Sequence, residues 1–414
     1  MRLGIEVLCE DLKSSGPLSK QLGDRRLALL AHPASITRRH VNARPAEWIH
    51  SMDALLSSTR PGQVCAAFGP QHGLRGERQD NMQETPDDFD PHWKLPVFSL
   101  YGEVRRPTES MCQHFDVLLI DLQDVGTRIY TYLTTLLYAL EAGAKFKKEI
   151  WILDRPNPAG REIEGTLLRP GWVSFVGAAE GLPMRHGLTL GEAAHWFVKK
   201  LKLDVQYQVV KMQDYRPLAS PGFGWPLGEI PWVNPSPNAA SLSMARAFPG
   251  TVLLEGTELS EGRGTTRPLE TMGGPGLDLP AIRQQMQRLA PDWLRGAWIR
   301  DVWFMPTFHK HQGQIIPGFQ IHCDHDDYDP QLFKPYRLVS LWLKCIRLVH
   351  PEYKIWRDFH YEYERDRLAI DLINGGPELR EWVDSSRAEV DSFEQICARD
   401  EKIWANEREL LYDL

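Results

Sequence analysis

Four short apolar runs, each ending in a polar cluster, constrain the fold of this 414-residue chain more than any other feature. They are RRLALLAHPAS, VCAAFGPQHG, FDVLLIDLQD and EIWILDRPNP, beginning at Arg25, Val64, Phe115 and Glu149. Runs of this length, Leu-rich or β-branched and bounded by turn residues, read as parallel strands buried on both faces. Segments of helical period lie between them. AEWIHSMDALLSS follows the first run and IYTYLTTLLYALEAGAKF follows the third, with Ile129, Leu133, Leu136, Leu137 and Leu140 on one face. Strand alternating with helix implies an α/β fold built on a doubly wound, mostly parallel sheet. TLGEAAHWFVKKL adds a helix whose start is written as a capping box, Thr189 to Glu192, ahead of an apolar stripe of Leu190, Ala193, Ala194, Phe197, Val198 and Leu201.

From about Pro217 to Pro249 the sequence turns to Pro, Gly, Ser and Asn, too Pro-rich for a helix or a central strand. A domain connection is expected there. Beyond it LPAIRQQMQRLA and PYRLVSLWLKCIRLV read as helices, while GAWIRDVWFMPTF and GFQIHCDHD read as strands. The expectation is a first domain over residues 1–235 and a smaller α+β domain over 236–414 that completes a cleft.

Charge and cysteine usage narrow the partners. Lys plus Arg number 48 against 55 Asp plus Glu, a net charge of -7. Duplex affinity rests on neutralising phosphates, so nucleic acid is not an expected partner. Cys9, Cys65, Cys112, Cys323, Cys345 and Cys397 show neither a C-x-x-C pair nor regular spacing, which argues against a zinc ribbon or a disulfide framework and fits a reducing compartment. With no signal-peptide core at the start and no run of about 18 apolar residues, a cytoplasmic protein without a membrane segment is expected.

In open α/β sheets ligands bind beyond the carboxyl ends of the strands, so the residues after each run matter most. Those residues are QHGLRGERQDN, DLQDVGTRIYTY and DRPNPAGREIEG. Asp121, Gln123, Asp124, Arg128, Tyr130, Asp154, Arg155 and Asn157 are therefore expected at one crevice, although any single Asp or Asn also reads as a cap or turn residue. A second cluster, ELSEGRGTTRPLE from Glu258 to Glu270, sets planar donors Arg263 and Arg267 beside Gly262 and Gly264, which permit close backbone approach to a ligand. No G-x-x-x-x-G-K-[ST], G-x-S-x-G or G-x-G-x-x-G occurs, so P-loop hydrolysis, the usual serine-esterase elbow and ordinary dinucleotide binding lose ground. His322, Cys323, Asp324 and His325 are consecutive on a strand-like segment, where side chains alternate faces, and read as a strand end rather than a metal site.

FGPQHGLRG, the SLYG of Ser99 to Gly102, DLQDVGTRIYTY, LDRPNP, PSPN, EGRGTTRP and YEYERDRLAIDLING follow one another as they do in the exo-β-N-acetylmuramidase NamZ family. The sequence resembles that family over nearly its whole length. The resemblance implies a Rossmann-like first domain, a smaller second domain, and hydrolysis of β-linked N-acetylmuramic acid from the non-reducing ends of peptidoglycan fragments, with no cofactor. That sugar carries a lactyl carboxylate, for which Arg75, Arg128, Arg263 and Arg267 are the candidate cations. Glycoside hydrolysis usually requires two carboxyl groups.

One position departs from the pattern. The family typically reads Pro-Glu-His-Gly where this chain has Pro70, Gln71, His72 and Gly73, and an amide cannot carry the catalytic proton. Another carboxylate such as Asp124, Glu77 or Glu261 takes the role, or the chain binds muramyl sugars without cleaving them, or the Glu has been deliberately changed to Gln. The leading expectation sets Asp124 and Glu261 as the carboxylates, His72 as acid/base or sugar-orienting group, and Arg75, Arg128 and Arg263 on the substrate. Asp121, Tyr130, Asp154, Arg155, Asn157, Asn238, Thr265 and Arg267 complete the expected binding surface. A hydrolase for another acidic sugar on the same scaffold is the remaining alternative, because fold does not fix function.

Overall fold

A computed structural model describes residues 1–39, 47–76, 78, 82–362, 364–387 and 389–412. Its parallel strands, in chain order, are Leu27–Leu30, Val64–Gly69, Leu95–Ser99, Val117–Ile120, Glu149–Leu153 and Tyr207–Val210. Across the sheet they run third, second, first, fourth, fifth, sixth, with Asp88–Asp90 as an antiparallel edge beside Leu95–Ser99. This is the order of a doubly wound sheet whose winding reverses between the first and fourth strands. All four apolar runs form strands, and every residue of Leu27–Leu30 and Val117–Ile120 is buried. Leu95–Ser99 and Tyr207–Val210 escape the apolar-run criterion because they lie at or next to an edge and are half-buried.

Helix Tyr132–Phe146 buries Leu133, Leu136, Leu137 and Leu140, with Ile129 buried in the approach to it. Helix Leu190–Leu201 begins with both reciprocal bonds of the capping box: Glu192 N–H donates to Thr189 Oγ1 at 3.3 Å, and Thr189 N–H to Glu192 Oε2 at 2.8 Å. The helix expected over AEWIHSMDALLSS is shorter than its periodicity suggests. Glu47–His50 instead pairs antiparallel with Ile36–Arg39, and helix begins only at Ser51, where His50 Nδ1 accepts the Met52 N–H at 3.1 Å.

The Pro-rich connection packs against the first half rather than hanging between halves. Trp225 and Ile230 join the core beneath the sheet, and Trp225 meets Trp232 with ring centroids 5.2 Å apart. Contrary to expectation, its end is helical, Leu242–Thr251. Ser241 caps this helix by accepting the Met244 N–H at 2.9 Å, and Pro249 falls in the last turns, before the chain tightens into a 3-10 helix at Val252–Gly256.

The second half holds an antiparallel sheet in the order Thr271–Gly273, Ile316–His322, Trp298–Phe304, together with helices Leu279–Leu289 and Pro335–Val349. Helix Val390–Glu407 then returns to the first half. It meets the hairpin of Glu164–Leu167 and Pro183–Arg185, where Asp400 accepts the Leu167 N–H at 3.0 Å and Trp404 Nε1 donates to the His186 carbonyl at 2.8 Å. A single apolar cluster runs from Leu30 through Trp342 to Trp404, so the two halves share one core. Among the described residues no helix is long and apolar enough to cross a membrane.

Candidate active site

The loops after strands Val64–Gly69 and Val117–Ile120 meet Ser236, Asn238, the helix Leu242–Thr251 and the pair Tyr361–Glu362, and a pocket forms between the two halves. Beyond Gly69 the chain turns through His72 (φ 71°) and Gly73 (φ 82°), both left-handed. A left-handed His is uncommon and needs support, which comes from His72 Nδ1 donating to the Arg78 carbonyl at 2.8 Å. A carbonyl only accepts, so this bond fixes the tautomer: in neutral His72 the ring lone pair lies on Nε2. The turn presents both Gln71 and His72 to the pocket.

Gln71 is oriented by its neighbours. Its Oε1 accepts from Thr131 Oγ1 at 2.7 Å, which leaves the amide Nε2 facing Glu362 Oε1 at 3.5 Å. The other Glu362 oxygen accepts from the Tyr101 hydroxyl at 2.9 Å. Burial pushes the Glu362 carboxyl up to about 7; the Tyr101 hydrogen bond opposes this, the nearby Glu255 charge adds to it, and Arg105 and Gln71 pull weakly downward. An acid poised near neutral pH, on the wall of a pocket, is the hallmark of a tuned proton donor.

Glu255 is held differently. Its Oε1 pairs with Arg263 Nη2 at 2.5 Å and its Oε2 accepts from the Tyr361 hydroxyl at 2.8 Å. Arg263 bridges onward, Nε to Glu261 Oε1 at 3.0 Å, and Lys310 Nζ stands 2.7 Å from Glu261 Oε2. Burial would raise the Glu261 carboxyl, yet Lys310, His309 and Arg263 together hold it well below the usual carboxylate range. Apolar side chains including Val176, Met244, Phe248 and Leu269 complete the wall.

Of the residues anticipated from sequence, Gln71, His72, Tyr130, Asn238 and Arg263 line this pocket. The other described ones lie outside its lining. Glu261 lies behind Arg263, fully buried in the ion cluster, and is no proton donor. Asp124 is buried away from the pocket lining, accepting the Gly126 N–H at 2.7 Å, with His186 Nε2 3.5 Å from the same oxygen. Arg128 has no exposed surface and donates to the carbonyls of Thr166, Leu182, Ile373 and Asn374, which engages the guanidinium that was expected to meet the substrate. Asp121 and Arg155 neutralise each other at 2.6 Å beneath the sheet's switch point. Asp154 is pushed up to about 6 by burial, against hydrogen bonds from Tyr412, Gly191 and Thr189 that pin the C-terminal segment and a helix start. Asn157 holds a turn, accepting the Ala159 N–H at 2.9 Å and donating to the Leu188 carbonyl at 3.0 Å.

Arg75 points outward, paired with Asp90 and 4.5 Å over the Trp93 ring. Thr265 closes its own loop on the Gly262 carbonyl at 2.6 Å. Arg267 is half-exposed, 3.1 Å from Glu270. Glu77 lies outside the described residues. Sequence reasoning passed over Glu362, Glu255, Tyr361 and Tyr101. The available signals were a lone Glu inside the apolar stretch TVLLEG and a Glu between two tyrosines in YEYE, since a carboxyl group buried there costs desolvation unless it is paired, hydrogen-bonded or protonated.

The chain matches the family models described as "Exo-beta-N-acetylmuramidase NamZ, N-terminal" over residues 27–243 and "Exo-beta-N-acetylmuramidase NamZ, C-terminal" over residues 246–412. It is 35% identical over 370 residues to the "Peptidoglycan beta-N-acetylmuramidase NamZ" of Bacillus subtilis (strain 168), covering 89% of this chain and 82% of that relative. Two solved structures of DUF1343 family proteins from Bacteroides fragilis NCTC 9343 are similar across 100% of this chain and 99% of theirs. One has a TM-score of 0.78 at 26% identity; the other, at 0.68 and 24%, shares the fold.

Proposed function

The chain belongs to the exo-beta-N-acetylmuramidase NamZ family, and we propose that it hydrolyses the bond linking a terminal β-N-acetylmuramic acid to the rest of a peptidoglycan fragment, with Glu362 as proton donor. The observation that carries this reading is the buried Glu362 carboxyl on the pocket wall, raised to about 7 and placed opposite Gln71. A carboxyl protonated at neutral pH protonates the departing glycosidic oxygen, the step that an amide at position 71 cannot perform.

Glu255 supplies the second carboxyl group. Fixed by Arg263 and Tyr361, it offers negative charge to the oxocarbenium-like transition state without having to reorganise. Glu362 is buried beside the Tyr101 hydroxyl and the Gln71 amide whereas Glu255 is held by a guanidinium, and these different surroundings fit different roles for the two carboxyl groups. His72, with its tautomer fixed from behind, orients a sugar hydroxyl through Nε2, and the apolar wall accepts the acetamido methyl. Closure of the pocket by the second half fits removal of a terminal sugar.

The non-cleaving reading rested on Gln71 alone, and Glu362 takes away its motive. We place the enzyme in the cytoplasm, where its six free cysteines, five of them buried, stay reduced. The test is incubation of the chain with the disaccharide of N-acetylmuramic acid β-linked to N-acetylglucosamine. Release of free N-acetylmuramic acid supports the reading, and recovery of intact disaccharide after prolonged incubation contradicts it.

A further inference from the structure

The ion cluster behind the pocket is anchored by a loop that is not part of the pocket lining. It joins strands Trp298–Phe304 and Ile316–His322 and folds back onto the second half, where the Thr307 N–H donates to the Gly264 carbonyl at 2.9 Å and His311 Nε2 to the Glu258 carbonyl at 2.6 Å. Within it His309 (φ 69°) and His311 (φ 58°) are both left-handed. Residues other than glycine take that conformation at a cost, and here they do so on either side of Lys310, whose side chain turns inward and is buried.

An ammonium has three N–H donors, and three acceptors surround this one: the Leu254 carbonyl at 2.7 Å, the Thr257 carbonyl at 3.0 Å and Glu261 Oε2 at 2.7 Å. The two carbonyls flank Glu255 in the chain, one within the 3-10 helix Val252–Gly256 and one just beyond it. The carboxylate ends the run of charges Glu255, Arg263, Glu261. Lys310 therefore reaches the pocket carboxyl twice, through the backbone and through alternating charge.

Glu255, Arg263, Glu261 and Lys310 alternate in sign and balance. Also facing this set are His309, 3.4 Å from Glu261, Arg357 near Lys310, and Glu362 near Glu255. Take away the ammonium, and Arg263 must serve two buried carboxylates, one of which is then left short of its partner. The guanidinium is drawn towards Glu261, and Glu255 loses part of what fixes it.

We propose that Lys310 is a positioning residue of the site: it neutralises Glu261 and so leaves Arg263 to hold Glu255 on the pocket wall. The inference rests on the reading of Glu255 as the charge-stabilising carboxyl of a muramidase. Its test compares Lys310→Met, Glu261→Gln and the double variant with the native chain on the muramyl disaccharide, with rates expressed per folded molecule. Misplacing a group by about an ångström costs on the order of 100-fold, so Lys310→Met should lower kcat by about that factor and leave KM nearly unchanged. Adding Glu261→Gln should recover about tenfold, because Arg263 then has Glu255 alone while the bonds to Leu254 and Thr257 stay lost. An unchanged kcat in Lys310→Met, or a double variant whose loss is the product of the single losses, overturns the proposal.

Carboxyl titration followed by carbon NMR separates this inference from the hydrolytic one, the Glu362 signal being assigned by its disappearance in Glu362→Gln. In Lys310→Met the charge on Glu255 is less well neutralised, so the Glu362 signal should titrate at higher pH than in the native chain and return in the double variant. Should Lys310→Met fail to fold, Glu261→Gln serves instead: Arg263 then neutralises Glu255 alone, and the signal should move to lower pH. If the native chain releases no N-acetylmuramic acid but the signal moves in these directions, the role of Lys310 stands and the hydrolytic reading falls. An unmoved signal in the folded variants overturns the role of Lys310, whatever the activity.

Discussion

The Gln71 amide nitrogen lies 3.5 Å from Glu362 Oε1, which puts two residues 291 positions apart on one wall of the pocket. Thr131 holds the Gln71 carbonyl from the other side, so the group facing Glu362 is an N–H donor, which favours the charged form of the carboxyl. A carboxylate in the same place would favour the neutral form.

Gln71→Glu therefore has a signed consequence. The new carboxylate keeps its hydrogen bond from Thr131, and its charge raises Glu362 beyond about 7. The alkaline limb of kcat/KM should move to higher pH by about one unit or more. Measured profiles of the two proteins check this, and an unmoved limb contradicts the coupling.

Glu362 also ties stability to pH. A carboxyl raised from 4.5 to about 7 in the folded state contributes stability below pH 4.5 that is lost as pH rises through 7. Glu362→Gln removes that loss, so at pH 8 the variant should be more stable than the native chain by on the order of 3 kcal/mol, with the difference shrinking towards zero at pH 4. Urea denaturation at both pH values checks the sign.

Arg128→Met should act on folding rather than on recognition. It strands the carbonyls of Thr166, Leu182, Ile373 and Asn374 without their donor, at a cost of about 3 kcal/mol or more. Denaturant midpoints should fall while the preference for acidic over neutral sugar persists in the folded fraction. A changed preference at unchanged stability would return Arg128 to the substrate.

The sheet, the capping box and the long helices were legible because they are written in local periodicity: Leu27–Leu30 and Val117–Ile120 are apolar throughout, and Thr189 to Glu192 spells its own cap. The site was legible only in part. Gln71, His72 and Tyr130 follow strands, so topology places them at the pocket. Arg128 and Arg155 follow strands too, but which arginine meets a substrate and which meets carbonyls or Asp121 depends on contacts distant in sequence. Glu362 was hidden for the same reason. Its own backbone is left-handed (φ 45°), and it reaches the pocket only because the second half shares a core with the first.

Glu255→Gln provides a contrast to loss of the acid. A group that stabilises the oxocarbenium-like transition state matters whatever the leaving group, so kcat should fall by similar factors on the disaccharide and on 4-nitrophenyl β-N-acetylmuramide. A loss confined to the disaccharide would make Glu255 the proton donor instead.

The most direct measurement of the central claim is kcat/KM of native chain and Glu362→Gln on those same two substrates. The disaccharide alcohol needs a proton to depart and nitrophenolate does not. Glu362 as general acid predicts a loss of about 10²- to 10⁴-fold on the disaccharide and a much smaller one on the nitrophenyl glycoside. Equal losses on both substrates, or full activity on the disaccharide, would contradict it.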